Sequence, residues 1–188
     1  MIKEFIMDGI KIHTEGTPNP NALKFVVSKS LLDNGTASFT DQSQCTNSPL
    51  AKKLFNISSV REVLISKDFI TILKDEKVSW ESIYDQVLSI IQSHLESNEP
   101  IVINIVQTEK AFSNEIEKQI HEILDSQIRP AVASDGGDVI FDSYEDGTLR
   151  LHLQGSCSHC PSSIMTLKAG IETMLKKAIP EIKEVISV

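Results

Sequence analysis

The sequence predicts an α+β fold built from two small mixed α/β domains joined by a linker. Its 188 residues exceed the usual size of one small domain, so one large domain or two of about 80 to 100 residues are expected. The stretch ESNEPIVINIVQTEK, residues 96–110, separates two segments that each carry both strand and helix patterns. We therefore place a first domain at residues 10–96, a linker at 97–108 and a second domain at 109–188.

The first segment is predicted to hold four strands and two helices. Two prolines and two asparagines in TPNPN favour a turn between the first two strands. Ser48 and Pro49 open a short helix, and apolar residues at helical spacing predict a longer one over about 79–95. The predicted strands are 10–13, 23–27, 60–66 and 69–74.

The second segment predicts the order α-β-β-α-β. Its first helix carries an apolar stripe between residues 112 and 124 and is expected to end by Arg129, because Pro130 follows. Asp146 and Gly147 form the turn of a hairpin. The remaining predicted elements are strands at 139–144, 149–154 and 182–188 and a second helix at 164–175.

Composition excludes several classes of function. A net charge of -8 works against binding nucleic acid, because that affinity depends largely on lysine and arginine displacing condensed counterions. The longest apolar run, residues 101–106, is far shorter than the roughly 20 residues that cross a bilayer. The first residues carry acids and lack the bias of a transit peptide. This favours a bacterial cytoplasmic protein, or a mature form from the mitochondrial matrix.

Two of the three cysteines form a C-x-x-C motif, which is the strongest chemical signal in the chain. Cys157 and Cys160 lie in QGSCSHCPSS, on a tight loop at the start of the second helix, and Pro161 suits the first helical position. Free backbone N–H groups and the helix dipole favour thiolate there, and thiolate is the form that binds metal. Metal binding and thiol redox chemistry are both compatible with this motif.

Ligand number limits what the motif can hold within one chain. Iron-sulfur clusters usually need four cysteines, as do most zinc sites that lack histidine. Cys45 would bring the total only to three, and it is predicted to be an unpaired surface thiol in a polar loop. A second copy related by a two-fold axis would supply the missing pair.

Long stretches of the chain resemble one protein family. The segment from IRPAVASDGGDVIF through LHLQGSCSHCPSSIMTLKAGIETML to the end resembles the C-terminal domain of NifU-like proteins of the Nfu type. GTPNPNALKFV, SPLAKKLFNISSV and DFITILK resemble the N-terminal domain that accompanies it. The resemblance implies a carrier in which Cys157 and Cys160 of two protomers bridge a 4Fe-4S cluster. It also implies that the protein is a homodimer when the cluster is bound and that apo iron-sulfur proteins receive the cluster. It is compatible with an upstream scaffold that loads the cluster.

His159 departs from the family pattern, which suggests a small residue between the cysteines. It could tune or supplement ligation, although a residue between two chelating cysteines is expected to point away from their metal. A histidine ligand would instead indicate zinc.

Other residues are given structural interpretations. Asp135-Gly136-Gly137-Asp138 is first of all a turn that permits positive φ. Four histidines have no partner at metal-ligand spacing and are predicted to be surface or strand-face residues: His13, His94, His121 and His152.

The chain is predicted to be a binding and transfer protein and not an enzyme, because no catalytic order or nucleotide fingerprint is present. Two alternatives remain. One is a thiol-disulfide oxidoreductase that uses the C-x-x-C motif, and the other is a zinc site that joins a dimer.

Overall fold

The computed structural model describes residues 4–7, 10–103, 114–158 and 161–188, with the backbone alone at 4–7 and 161–167. The chain forms two compact units, Met1–Val106 and Gln107–Val188. Each unit has its own sheet, helices and apolar core, so the predicted α+β class with two domains is confirmed. None of the helices in the described ranges combines the length and hydropathy that crossing a bilayer requires.

The first unit contains a six-stranded antiparallel sheet. Its spatial order is β1-β2-β3-β6-β5-β4, so the two unpredicted strands, β1 and β4, lie at the edges. They have only four and three residues, too few to show a period, and they pair with stronger neighbours. The strands are β1 Glu4–Met7, β2 Ile10–Gly16, β3 Ala22–Val27, β4 Ala37–Phe39, β5 Val60–Ile65 and β6 Phe69–Lys74.

Two α-helices, α1 (Pro49–Leu54) and α2 (Trp80–Glu96), contribute to the core of this unit. Ser48 caps the N-terminus of α1, because its hydroxyl accepts a hydrogen bond from the Ala51 N–H at 3.2 Å. The apolar stripe predicted for α2 faces the core, where four of its residues are buried: Ile83, Val87, Ile91 and Leu95. An unpredicted 3-10 helix, Gln42–Asn47, precedes α1.

The second unit has a three-stranded sheet in the order β7-β8-β9. Antiparallel β7 and β8 form the predicted hairpin, while β9 runs parallel to β8 after a helical crossover. Asp146 and Gly147 turn the chain with φ of 51° and 88°, values that suit an Asp-Gly pair. The strands are β7 Gly137–Glu145, β8 Thr148–Gly155 and β9 Glu184–Ser187, and the crossover helix, α5 below, is Pro161–Ala178.

The prediction that the first helix of this unit ends by Arg129 is wrong. Helix α3 (Glu115–Ile123) continues through a π-helical turn, Leu124–Ile128, into α4 (Arg129–Ser134). The Arg129 N–H bonds to the Leu124 carbonyl, five residues back. This wider turn lies just before Pro130, which lacks an N–H and normally collides with the carbonyl four residues earlier. The chain therefore stays helical past the proline.

The surface prediction for His94 is also wrong, because this side chain is fully buried within the first unit. The Lys53 Nζ lies 3.3 Å from His94 Nδ1 and 2.7 Å from a Glu99 carboxylate oxygen. His94 Nε2 has no hydrogen-bond partner among the described residues. Burial, followed by the Lys53 ammonium, lowers the pKa of His94 from its usual range.

The stability of the first unit should therefore depend on pH. Above about pH 6.5 His94 is neutral in both folded and unfolded chains. As pH falls below that value, the unfolded chain binds a proton that the folded chain rejects, so the free energy of unfolding should fall. Urea unfolding followed by the fluorescence of Trp80, the single tryptophan, measures this at about pH 7.5 and 5.5. His94→Gln should reduce the difference, and an unchanged difference would contradict the prediction.

Candidate metal centre

The C-x-x-C motif begins in the loop that leaves β8. Gly155, the last residue of β8, has φ of 68°, which turns the chain out of the strand. Ser158 closes the turn, because its N–H and its hydroxyl both donate to the Gly155 carbonyl, at 3.2 and 2.8 Å. The predicted helix follows at Pro161 as α5. The loop therefore places Cys157 one short turn before a helix N-terminus, as the sequence predicted.

Cys157 packs into the core of the second unit. It is 3% exposed and belongs to the apolar cluster formed by the sheet and helices of this unit. A Cβ placed on Gly137 would lie 2.6 Å from the Cys157 Sγ and 2.9 Å from the Gln154 carbonyl oxygen. Gly137, which pairs with Gly155 across the hairpin, therefore leaves the space that the thiol occupies.

The second predicted ligand, Cys160, lies outside the described residues, as does His159. Their assignment as ligand and spacer stays a prediction from sequence.

The Asp135–Asp138 segment has the structural role that was predicted for it. Gly136 has φ of 79° and ends α4 at the point where β7 begins. The Asp138 side chain is buried and accepts a hydrogen bond from the Val139 N–H at 2.8 Å. Arg129 Nε lies 3.5 Å from that carboxylate and donates to the Val139 carbonyl at 3.0 Å. These contacts fix the strand that supports the Cys157 thiol.

Ser156, which no sequence pattern indicates, joins this segment to the cysteine loop. Its N–H donates to the Gly136 carbonyl at 3.2 Å, and its hydroxyl donates to the Asp135 carbonyl at 2.5 Å. The hydroxyl oxygen also lies 3.5 Å from the Cys157 Sγ. A serine next to a cysteine is too common in sequences to predict these contacts of Ser156. The bonds to Asp135 and Gly136 form only when strands β7 and β8 pair.

The prediction that Cys45 is a surface thiol is wrong. Cys45 is 1% exposed and lies in the core of the first unit, and its Sγ is 3.5 Å from the Asp41 carbonyl oxygen. Burial raises the pKa of the Cys45 thiol, with the Asp41 carboxylate as a smaller cause. Polar neighbours in sequence suggested an exposed loop, but the 3-10 helix turns this one apolar side chain inward.

The other described histidines make structural contacts. His13 Nε2 lies 3.3 Å from a carboxylate oxygen of Glu15, and His152 Nε2 lies 3.3 Å from one of Asp142. The His121 ring packs on the Phe141 ring, with 4.7 Å between the ring centroids. Within the described residues, three or more histidine, cysteine or acidic side chains do not converge on one point.

The donor chemistry at the loop suits a soft metal. A cysteine sulfur, placed here one turn before a helix N-terminus, is the ligand type that iron-sulfur clusters use.

Two family models match the chain in sequence order. The model described as scaffold protein Nfu/NifU N terminal matches residues 12–98, and the NifU-like domain model matches residues 120–186.

Two relatives of known family agree with these matches. A Homo sapiens protein named NFU1 iron-sulfur cluster scaffold homolog, mitochondrial, is 43% identical over 178 residues, covering 93% of this chain and 70% of that protein. A protein of the same name from Drosophila persimilis is 44% identical over 179 residues and is 64% covered. A solution structure of a NifU-like protein from Saccharomyces cerevisiae, 29% identical with a TM-score of 0.45, covers 53% of this chain and 92% of its own.

The chain therefore belongs to the Nfu family of iron-sulfur cluster scaffold proteins. It spans 70% of the length of the human relative and 64% of that of the Drosophila persimilis one.

Proposed function

We propose that this protein carries a 4Fe-4S cluster, bound by Cys157 and Cys160 of two protomers, and transfers it to apo iron-sulfur proteins. The observation that carries the proposal is the C-x-x-C motif at the start of α5 in a chain of the Nfu scaffold family. The cluster is cargo, so the protein has no need of catalytic residues and acts as a binding and transfer protein.

Ligand number supports a site shared by two chains. The C-x-x-C motif supplies two thiolates, and a cluster of this type usually takes four. Cys45 is buried in the core of the first unit, which removes it from the ligand set. An isologous contact between two copies brings identical loops together and completes the four ligands. Release then follows when the protomers separate, because each retains only half of the set.

The cysteine loop has the features that such a site needs. The N–H groups at the start of α5 and the positive end of its dipole stabilise thiolate and the negative charge of a thiolate-bound cluster. We expect His159 to act as a spacer between the two ligands in this arrangement.

The two units have separate roles in this proposal. We place the N-terminal domain at residues 10–96, the linker at 97–108 and the cluster-binding domain at 109–188, limits that the two family matches support. The first domain recognises recipient proteins, since it offers no cysteine other than the buried Cys45. An upstream scaffold loads the cluster. The site of action is the mitochondrial matrix for a eukaryotic chain and the cytoplasm for a bacterial one.

Metal content tests the proposal. After anaerobic reconstitution the protein should be brown, elute as a dimer and contain about four iron and four sulfide per two chains. Iron, sulfide, zinc and protein should be quantified on the same sample. One zinc per dimer without sulfide would replace the proposal with a zinc-joined dimer. A colourless protein with a reversible Cys157–Cys160 disulfide would replace it with an oxidoreductase.

A further inference from the structure

The loop that carries Cys157 directs this cysteine into its own chain. Cys157 has 3% of its surface exposed and lies in the same apolar cluster as Val139 and Leu151. A cluster held between two chains must contact sulfur from both, and a protein core packed at normal density has no room for it. The described conformation of the loop is therefore one in which Cys157 cannot reach a shared cluster.

Ser156 holds the loop in this conformation. Its hydroxyl donates to the Asp135 carbonyl at 2.5 Å, and its N–H donates to the Gly136 carbonyl at 3.2 Å. A hydroxyl has one proton, and here that proton is directed to Asp135. The Ser156 oxygen is then able to accept from the Cys157 thiol, whose sulfur lies 3.5 Å away.

Metal binding removes that contact. When iron binds the sulfur it replaces the thiol proton, so the S–H group can no longer donate to the Ser156 oxygen. The sulfur also has to leave the space beside Gly137 to meet a second chain. Both changes favour a different position of the loop.

We propose that the loop of residues 155–158 has a closed state, in which Ser156 holds the Cys157 thiol in the core, and that it must open before Cys157 can bind iron. Ser156 is a positioning residue that sets the balance between the two states. The closed state protects the thiol from oxidants while no cargo is bound, because the sulfur is inaccessible. The link to iron rests on the proposed function, whereas the closed state itself depends only on the structure.

Thiol labelling in the absence of iron tests the closed state. The full chain with Cys45→Ala and Cys160→Ala retains Cys157 as its single cysteine. Its reaction with excess 5,5′-dithiobis(2-nitrobenzoate) releases a coloured thiolate that gives the rate of labelling. Cys157 should react much more slowly than the same cysteine in a short peptide of this loop. Ser156→Ala should increase the rate about threefold to tenfold, the population change expected for the loss of one hydrogen bond.

Ser158→Ala is the matched control, because it removes from the same loop a hydroxyl that donates to the Gly155 carbonyl at 2.8 Å. This substitution should change the labelling rate of Cys157 less than about twofold.

The urea dependence of the labelling rate distinguishes local opening from global unfolding. A labelling rate that varies little at low urea identifies local opening, whereas a labelling rate that rises steeply from the lowest urea concentrations identifies global unfolding.

Peptide-like labelling of Cys157 or equal effects of the two serine substitutions would overturn the closed state, and labelling only through global unfolding would overturn its local opening. Because no iron is present, none of them depends on whether the protein carries a cluster. Failure of the metal-content experiment would in turn leave the labelling results unchanged.

Discussion

Replacing either Cys157 or Cys160 by alanine is expected to abolish cluster binding. In a site shared by two identical chains, each single substitution removes two of the four ligands. Loss of a group that only supports a metal ligand already costs about 10- to 100-fold in affinity, so loss of two ligands should exceed that range. The visible absorbance of the reconstituted protein and its iron content measure the effect.

Cys45→Ala is the control for this experiment. It removes the remaining cysteine from the core of the first unit and should cost about 1 kcal/mol of stability without lowering the iron content. Far-UV circular dichroism should establish that all three variants are folded. Loss of the cluster from a folded Cys45 variant would show that the ligand assignment is wrong.

Gly137→Ala is expected to destabilise the second unit and to expel the Cys157 thiol. The new Cβ would lie 2.6 Å from the Cys157 Sγ and 2.9 Å from the Gln154 carbonyl oxygen, and such contacts force the loop or the hairpin to move. Overpacking of this kind typically costs about 1 to 3 kcal/mol. Hydrogen exchange in β7 and β8 should become faster, and labelling of Cys157 should become faster with it.

Gly170→Ala is a control that should raise the free energy of unfolding, whereas Gly137→Ala should lower it. Gly170 lies in α5, and an added Cβ would meet no atom within 4 Å. Alanine there should stabilise the helix by about 0.5 to 1 kcal/mol, because glycine loses more backbone entropy on folding. If both glycine substitutions had the same effect on β7 and β8, close packing of Cys157 against Gly137 would not be the cause.

Local patterns predicted most of the elements that support the cysteine loop. The alternating leucines of β8 and the Asp-Gly turn require only neighbouring residues, and the hairpin forms as predicted. The apolar stripe of α2 is likewise buried as predicted. In β8 and in α2 the spacing of the apolar residues already specifies which face is apolar, so any compact fold buries that face.

Most of the wrong predictions concern residues whose state depends on distant neighbours, whereas the error at Pro130 concerns the local backbone. Pro130 remains helical because a π-helical turn removes the clash that the sequence alone predicts. Cys45 and His94 are buried although the residues around them in sequence are largely polar. Edge strands β1 and β4 are too short to be recognised without their partners.

The sequence by itself determined the class of fold, the hairpin, the helix that follows it and the C-x-x-C motif with its ligand number, because each of these depends on residue type and short spacing. Only the tertiary structure decided that Cys157 faces inward, that Gly137 makes room for its sulfur and that Ser156 bonds to Asp135. These contacts join residues about 20 positions apart, on either side of the hairpin. The pairing of β7 with β8 is predicted from the sequence, but the register that sets Gly137 opposite Gly155 is not, because it includes an irregularity between Phe141 and Ser143.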